Sequence, residues 1–316
     1  MTLTVRNFEV DRDAAFVAKM FSWNDQFTWN AGDVAANYRR FPASRPVLRL
    51  VVESDGELVA YGRTCLFAPN PRNAFFSEVL VLPEHQRQGI GRDLVNRLEG
   101  FANEHQAQKM AFMVYDRKGG SLPAAEAMGY ATVTNYYQSE IDPRTFDLSV
   151  FEPYLSKAKS FGYEVKALAD LPVCDETDRN YYAAVHSADK DAPFMDYFGW
   201  PTYEEFRQVT IGAQWFDRNG VFVAVLDGEI VGSSGVNRGS IDFNGEMFID
   251  FTGVVREHRG KGLAVALKAK ATDFARQIGG TMLRTENNID NPAMRAVNKK
   301  LGFKETPGMW MVVKEL

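Results

Sequence analysis

The chain has 316 residues, 45% hydrophobic and 24% charged, with a formal net charge of −5, enough for two sizeable globular cores. The acidic balance argues against nucleic acid or an anionic membrane as the main partner, and no apolar run is long enough to span a bilayer. The two cysteines, Cys65 and Cys174, lie far apart without CxxC spacing, which fits a reducing compartment and suggests no metal.

The opening residues lack the basic-then-apolar layout of a signal peptide, so a cytoplasmic location is expected. A first strand is expected at 4–8 and a helix at 13–22, where Phe16, Val17 and Met20 recur at helical spacing. An aromatic stretch (Trp23, Phe27, Trp29, Tyr38, Phe41) leads into a hairpin, 47–53 and 57–66, turning at Ser54-Asp55-Gly56. A strand at 75–82, a helix from 92 to about 106, a strand at 110–115, a short helix at 122–128 closed by Gly129 and a strand at 132–141 follow. A connecting helix is expected at 146–161, closed by Gly162. Then come a strand at 165–168, a helix at 178–187, a hairpin at 221–226 and 229–236 about Asp227-Gly228, and a strand at 247–255. A helix at 263–277, a strand at 281–285, a helix at 292–300 ended by Gly302 and a last strand at 309–313 complete the chain.

The second half repeats the first. Gly89 and Gly262 are 262 − 89 = 173 apart, as are Gly129 and Gly302 (302 − 129 = 173), and the hairpin glycines are 228 − 56 = 172 apart. Three landmarks at nearly one offset imply two copies of one domain rather than a short repeat. The expected division is 1–145, a linker helix at 146–162, and 163–316.

Each copy carries a turn between a strand and a helix: Gln86-x-x-Gly89-x-Gly91 and Arg259-x-x-Gly262-x-Ala264. Neither is a P-loop nor a complete dinucleotide fingerprint. Glycines let backbone amides approach a ligand, and the positive end of a helix follows at once, so the turn suits a phosphate or pyrophosphate. The same turn also serves simply to join a strand to a helix.

The run Thr252-Gly253-Val254-Val255-Arg256-Glu257-His258-Arg259-Gly260-Lys261-Gly262, followed by Asn291-x-x-Met294 and Leu301-Gly302-Phe303, resembles the GNAT superfamily of acyl-CoA-dependent N-acetyltransferases. The resemblance covers both halves, and the tandem arrangement is most similar to the mycothiol synthase type, by architecture and not by substrate. It implies an α/β fold of two tandem GNAT-like domains, each a central mixed, mostly antiparallel twisted sheet flanked by helices.

It also implies acetyl-CoA as co-substrate. The amides around Gly260, Gly262, Leu263 and Ala264 would take the pyrophosphate, with Arg259 bracing the turn. The strand from Thr252 to Val254 would run beside the pantetheine arm, and Asn291 would contact the cofactor, unless it only caps the following helix ahead of Pro292. The first half offers Val79, Val81, Gln86, Arg87, Gly89, Gly91 and Arg92 for the same purpose, with Lys118 where Asn291 stands.

An attacking alkylamine, with a pKa near 10.4, must lose a proton at pH 7. Family bases are carboxylates on the strand before the turn. Asp250 and Glu246 fall there, and strict alternation puts both on the face of Thr252. Asp250 reads equally as a hydrogen-bonded strand carboxylate, and Glu246 as a solvated turn residue. The family's tyrosine acid is replaced by Asn298, and by Ala125 in the first half, and an amide is no general acid at pH 7. Asp189, Asp191, Asp196, Glu204 and Glu205 would favour a cationic acceptor if their loop lines a pocket.

The expected activity is acetyl transfer from acetyl-CoA to a primary amine of a small molecule by direct attack, in the second half, with the first half the weaker catalyst, either a CoA binder or a degenerate scaffold. The alternatives are a peptide or protein amine as acceptor, or a CoA-binding sensor or scaffold without turnover. The acceptor and the oligomeric state are not set by the sequence.

Overall fold

Asp55 and Gly56 hold φ 50° and 91°, and Asp227 and Gly228 hold 51° and 86°. Two consecutive left-handed residues make the turn whose twist matches that of the flanking strands, so each Asp-Gly closes a two-residue hairpin. The computed structural model describes residues 2–24, 28–115, 120–238 and 244–316. Phe27 and Lys118 lie outside the described residues.

In chain order the first copy holds β1 (Leu3–Asn7), α1 (Val10–Asn24), α2 (Ala31–Arg40), β2 (Val47–Ser54), β3 (Glu57–Cys65), β4 (Ala74–Val81), α3 (Ile90–Glu104), β5 (Lys109–Tyr115), α4 (Ser121–Glu126) and β6 (Ala131–Ile141). Then follow α5 (Glu152–Ser160), β7 (Glu164–Ala167), α6 (Asp175–Asp189), α7 (Met195–Phe198), α8 (Tyr203–Phe206), β8 (Val221–Leu226) and β9 (Glu229–Arg238). The chain closes with β10 (Glu246–Val254), α9 (Leu263–Gln277), β11 (Met282–Asn288), α10 (Pro292–Lys300) and β12 (Lys304–Glu315).

The chain forms two compact units that are not contiguous in sequence: 1–136 with 196–201 and 307–316, and 137–195 with 202–306. The first has strand order β1-β2-β3-β4-β5-β12, the second β6-β11-β10-β9-β8-β7. The strands at 132–141 and 309–313, read as closing their own halves, are thus exchanged. β12 pairs antiparallel with β5 from Met309↔Tyr115 to Glu315↔Lys109. The end of β6 lies in the second unit, where Gln138 Nε2 donates to Glu286 at 2.7 Å. Both strands follow equivalent helices in duplicated sequence, so either copy can complete the edge next to β5 or β11, and local sequence cannot choose between them.

In the second unit, Leu263, Leu267 and Ala271 recur every fourth residue along α9 and are buried against Met247, Ile249 and Leu283. In the first, Ile90, Leu94 and Leu98 of α3 repeat this against Phe75 and Met110. Each such leucine contributes about 1.5–3 kcal/mol by burial. Leu283→Ala, at a fully buried position, is expected to destabilise the second unit by about 2–5 kcal/mol, read as a lower urea midpoint. An unchanged midpoint would mean that β11 does not carry this core.

Candidate active site

Gly262 precedes α9 at φ 85°, and Gly89 precedes α3 at φ 87°; neither helix has a side chain capping its N-terminus. The first-turn N–H groups are therefore left for solvent or a ligand, at the positive end of a helix. A Cβ at Gly89 or Gly260 would meet nothing within 4 Å, while one at Gly262 would come 3.1 Å from the Tyr154 ring. Arg87 adopts φ 62° where the second copy has Gly260 at 77°.

Equivalent side chains tie each turn to its strand. Arg259 Nε donates to the Val254 carbonyl at 2.8 Å, and Gln86 Nε2 to the Val81 carbonyl at 2.9 Å. Arg259 also reaches the Ala188 carbonyl at 3.2 Å and Asp191 at 3.1 Å, and Arg256 holds Asp191 at 2.6 Å. Leu263 is buried in the core with Ala264 packed beside it, and Val79 and Val81 pack on the first core. A Cβ on Gly91 would sit 3.7 Å from Val81, whereas Arg92 is exposed.

The strand before each turn leaves the sheet on one side. β10 pairs in parallel with β11 only from Glu246↔Met282 to Ile249↔Thr285, yet it follows β9 to Val254↔Gly232. β4 likewise parts from β5 after Ser77↔Phe112 while following β3 to Val81↔Ala60. Each fork leaves a strand edge without a ladder beside the glycine turn, where an extended chain can add.

The forks differ by one residue. In β10, Ile249 faces Val236 and Phe251 faces Gly235, so Asp250 has no partner on β9 and forms a bulge. The β3–β4 ladder runs without interruption. Past the bulge, Thr252 matches Val79 (252 − 79 = 173); before it, Ile249 matches Ser77 (249 − 77 = 172). Asp250 is thus the inserted residue that turns the hairpin offset of 172 into the turn offset of 173.

The bulge overturns the expectation that Asp250, Glu246 and Thr252 share a face. Met247 and Ile249, and beyond the bulge Val254, all enter the α9 core, so Thr252 alternates onto that side, and its hydroxyl bonds Ser234 at 2.9 Å. A Cβ on Gly253 would meet Ala188 of α6 instead. Asp250 lies on the α6 side, where it acts on Asp189 and Tyr181. Glu246 shares that face but is held by Asn244 at 3.1 Å and Arg284 at 3.6 Å.

Asp250 is exposed to solvent, with protein atoms standing around its carboxyl. Desolvation raises its pKa above the usual carboxylate range. Asp189 is pushed up to about 6 by burial and by the neighbouring Asp250 charge. Burial also raises the Tyr181 phenol. Asp189 was legible only as one acid among five, and Tyr181 carried no signal beyond helical spacing.

Three of the other four loop acids are engaged elsewhere. Asp191 is held by the two arginines above, and Asp196 belongs to the first unit and pairs with Arg72. Glu205 accepts from the Thr202 N–H at 3.0 Å. Asn291 caps α10, accepting from the Met294 N–H at 3.2 Å. Asn298 is 2% exposed, and its amide donates to Asn287. Of the aromatic stretch in the first unit, Trp29, Tyr38 and Phe41 line a cavity of about 150 Å³ together with Arg49 and Glu78. Among the described residues no cluster of His, Cys, Asp and Glu could hold a metal ion, and no helix is long and apolar enough to cross a membrane.

The model of the acetyltransferase (GNAT) family matches residues 14–130 and 182–303. The mycothiol acetyltransferase of Streptomyces coelicolor is 26% identical over 268 residues, covering 84% of this chain and 79% of that protein. A solved tandem GNAT protein from the clavulanic acid biosynthesis pathway aligns with a TM-score of 0.76 at 20% identity, over 99% of this chain and 98% of the other. A GCN5-related N-acetyltransferase from Sphaerobacter thermophilus gives 0.71 at 19%, over 99% and 95%. These two structures speak for the fold.

Proposed function

We propose, from the premise that the chain belongs to the acetyltransferase (GNAT) family and is an N-acetyltransferase, that its second half acetylates a primary amine of a small molecule by direct attack. The family uses acetyl-CoA, and the residues of this half fit it: an uncapped helix end at Gly262 and an unladdered strand edge at the β10 fork. When bound, acetyl-CoA supplies the activated acyl carbon. The α9 N–H groups hold the pyrophosphate, and Arg259 keeps their turn against Val254. The edge from Thr252 to Val254 aligns the pantetheine arm, and one of its N–H groups stabilises charge developing on the acyl oxygen. Glu246 and Asn298, held by other side chains, take no part in proton transfer.

The observation that carries the reading is Asp250. It is the residue inserted at the β10 fork, which the β4 fork lacks, and with Asp189 it puts two carboxyls on the α6 side of β10. Such a pair attracts an ammonium ion, and a raised carboxyl pKa brings the base closer to operating pH. The first half keeps the turn and the fork but has no such insertion, so we assign it CoA binding or support without turnover. The relative named mycothiol acetyltransferase favours a small acceptor. The free cysteines Cys65 and Cys174 fit a reducing cytoplasm.

A panel of small primary amines tests this through thiol release from acetyl-CoA by the full chain. Amine-dependent release supports the reading; release with peptide or protein amines alone overturns the acceptor class.

A further inference from the structure

Lys268 of α9 is fully buried, and among the described residues it forms no ion pair. Its Nζ donates to Thr285 Oγ1 at 3.3 Å, and Thr285 Oγ1 donates to the Ile249 carbonyl at 3.1 Å. Ile249–Thr285 is the last rung before β10 and β11 part, so this hydroxyl marks the apex of the fork. Two residues along the same face of β11, Asn287 accepts from Asn298, whose Oδ1 has no protein partner among the described residues.

Four polar side chains thus stand together between α9, α10 and β11. Burying such groups costs free energy that hydrogen bonds offset only in part. The duplication supplies the control. The four positions 173 earlier (268 − 95, 285 − 112, 287 − 114, 298 − 125) hold Val95, Phe112, Val114 and Ala125. All four are buried in the first unit's apolar core. The fold accepts apolar residues at every one of these places, so packing does not explain their polarity in the second half.

We propose that Lys268 supplies, through the Thr285 hydroxyl, the proton taken up by the sulfur that leaves the acetyl group, replacing the acid that Asn298 cannot be. The proposal rests on acetyl-CoA lying in the fork. As the amine nitrogen bonds the acyl carbon, Thr285 gives its hydroxyl proton to the sulfur, on which the electron pair of the broken carbon–sulfur bond settles. Thr285 takes a proton from the Lys268 ammonium in return. Lys268 ends neutral, Asp250 holds the proton lost by the amine, and exchange with water restores both.

Desolvation alone lowers the Lys268 pKa to about 7, below the ~8.5 of an ordinary thiol, so the transfer runs downhill. Among the described residues, the groups facing Lys268 are the Thr285 hydroxyl of β11 and the Phe303 ring, 5.3 Å away beyond α10. Neither is charged. Asp250 lies on the opposite face of β10, and Arg284 and Glu286 alternate to the opposite face of β11.

The test uses Lys268→Met and Thr285→Val in the full chain. Both are expected to bind acetyl-CoA with wild-type affinity by calorimetry and to lose on the order of 10²-fold in kcat. The double variant should lose no more than either single one. Wild-type kcat should fall above pH 7, as the ammonium titrates, and Lys268→Met should lack that limb. The folded state disfavours the charged lysine, so wild-type stability should rise from about pH 7 to 10.5 relative to Lys268→Met. Lys268→Met should also melt higher than wild type at pH 6. A higher melting point with kcat and its pH limb unchanged would make Lys268 purely structural and overturn the relay. Should Lys268→Met fail to fold, Thr285→Val decides on the same limb. Failure of the wild-type chain to bind acetyl-CoA would instead overturn the reading of the site.

Discussion

Asp250→Asn is expected to lower kcat by roughly 10²–10⁴-fold while leaving the fold and acetyl-CoA affinity in place. The carboxyl forms none of the hydrogen bonds or ion pairs found among the described residues, so the near-isosteric amide has no structural contact to break. Its effect falls on the proton that the amine must lose. Desolvation raises the Asp250 pKa, and desolvation together with the Asp250 charge raises that of Asp189. Folding therefore favours the neutral forms: the associated stability is full at low pH and is lost as pH rises through the folded values, about 6 for Asp189. Asp189→Asn should raise the thermal midpoint above that pH and move the acid limb of kcat downward. Steady-state kinetics checks both. An Asp250→Asn variant with wild-type kcat would remove Asp250 from the mechanism.

Gly262→Glu is expected to abolish acetyl-CoA binding by the second half. The residue holds φ 85°, where a side chain is strained, and its Cβ would press on Tyr154 at 3.1 Å. Its carboxylate would stand where the α9 N–H groups offer their positive end to a pyrophosphate. Calorimetry should show the lost site. Wild-type affinity and stoichiometry would show that the cofactor sits elsewhere.

The features legible in sequence rest on local chemistry. Asp-Gly fixes each hairpin through its left-handed pair, Gly262 and a run of helix formers fix the start of α9, and Asn291-Pro292 fixes the cap of α10. What stayed hidden depends on partners far away in sequence. The change of offset from 172 to 173 records an inserted residue, but only the β9–β10 ladder places it at Asp250. Strict alternation then put Thr252 on the wrong face. The exchange of β6 and β12 was hidden because duplicated strands compete for either edge. Lys268 carries no sequence signal of its own; its burial, set beside the apolar Val95 of the first copy, singles it out.

The central claim is that the second half alone turns over. Thiol release from acetyl-CoA by the full chain, compared between Gly89→Glu and Gly262→Glu with an accepted amine, tests it most directly. Release should persist in Gly89→Glu and vanish in Gly262→Glu. Release that survives Gly262→Glu, or is lost with Gly89→Glu in a folded chain, would contradict it.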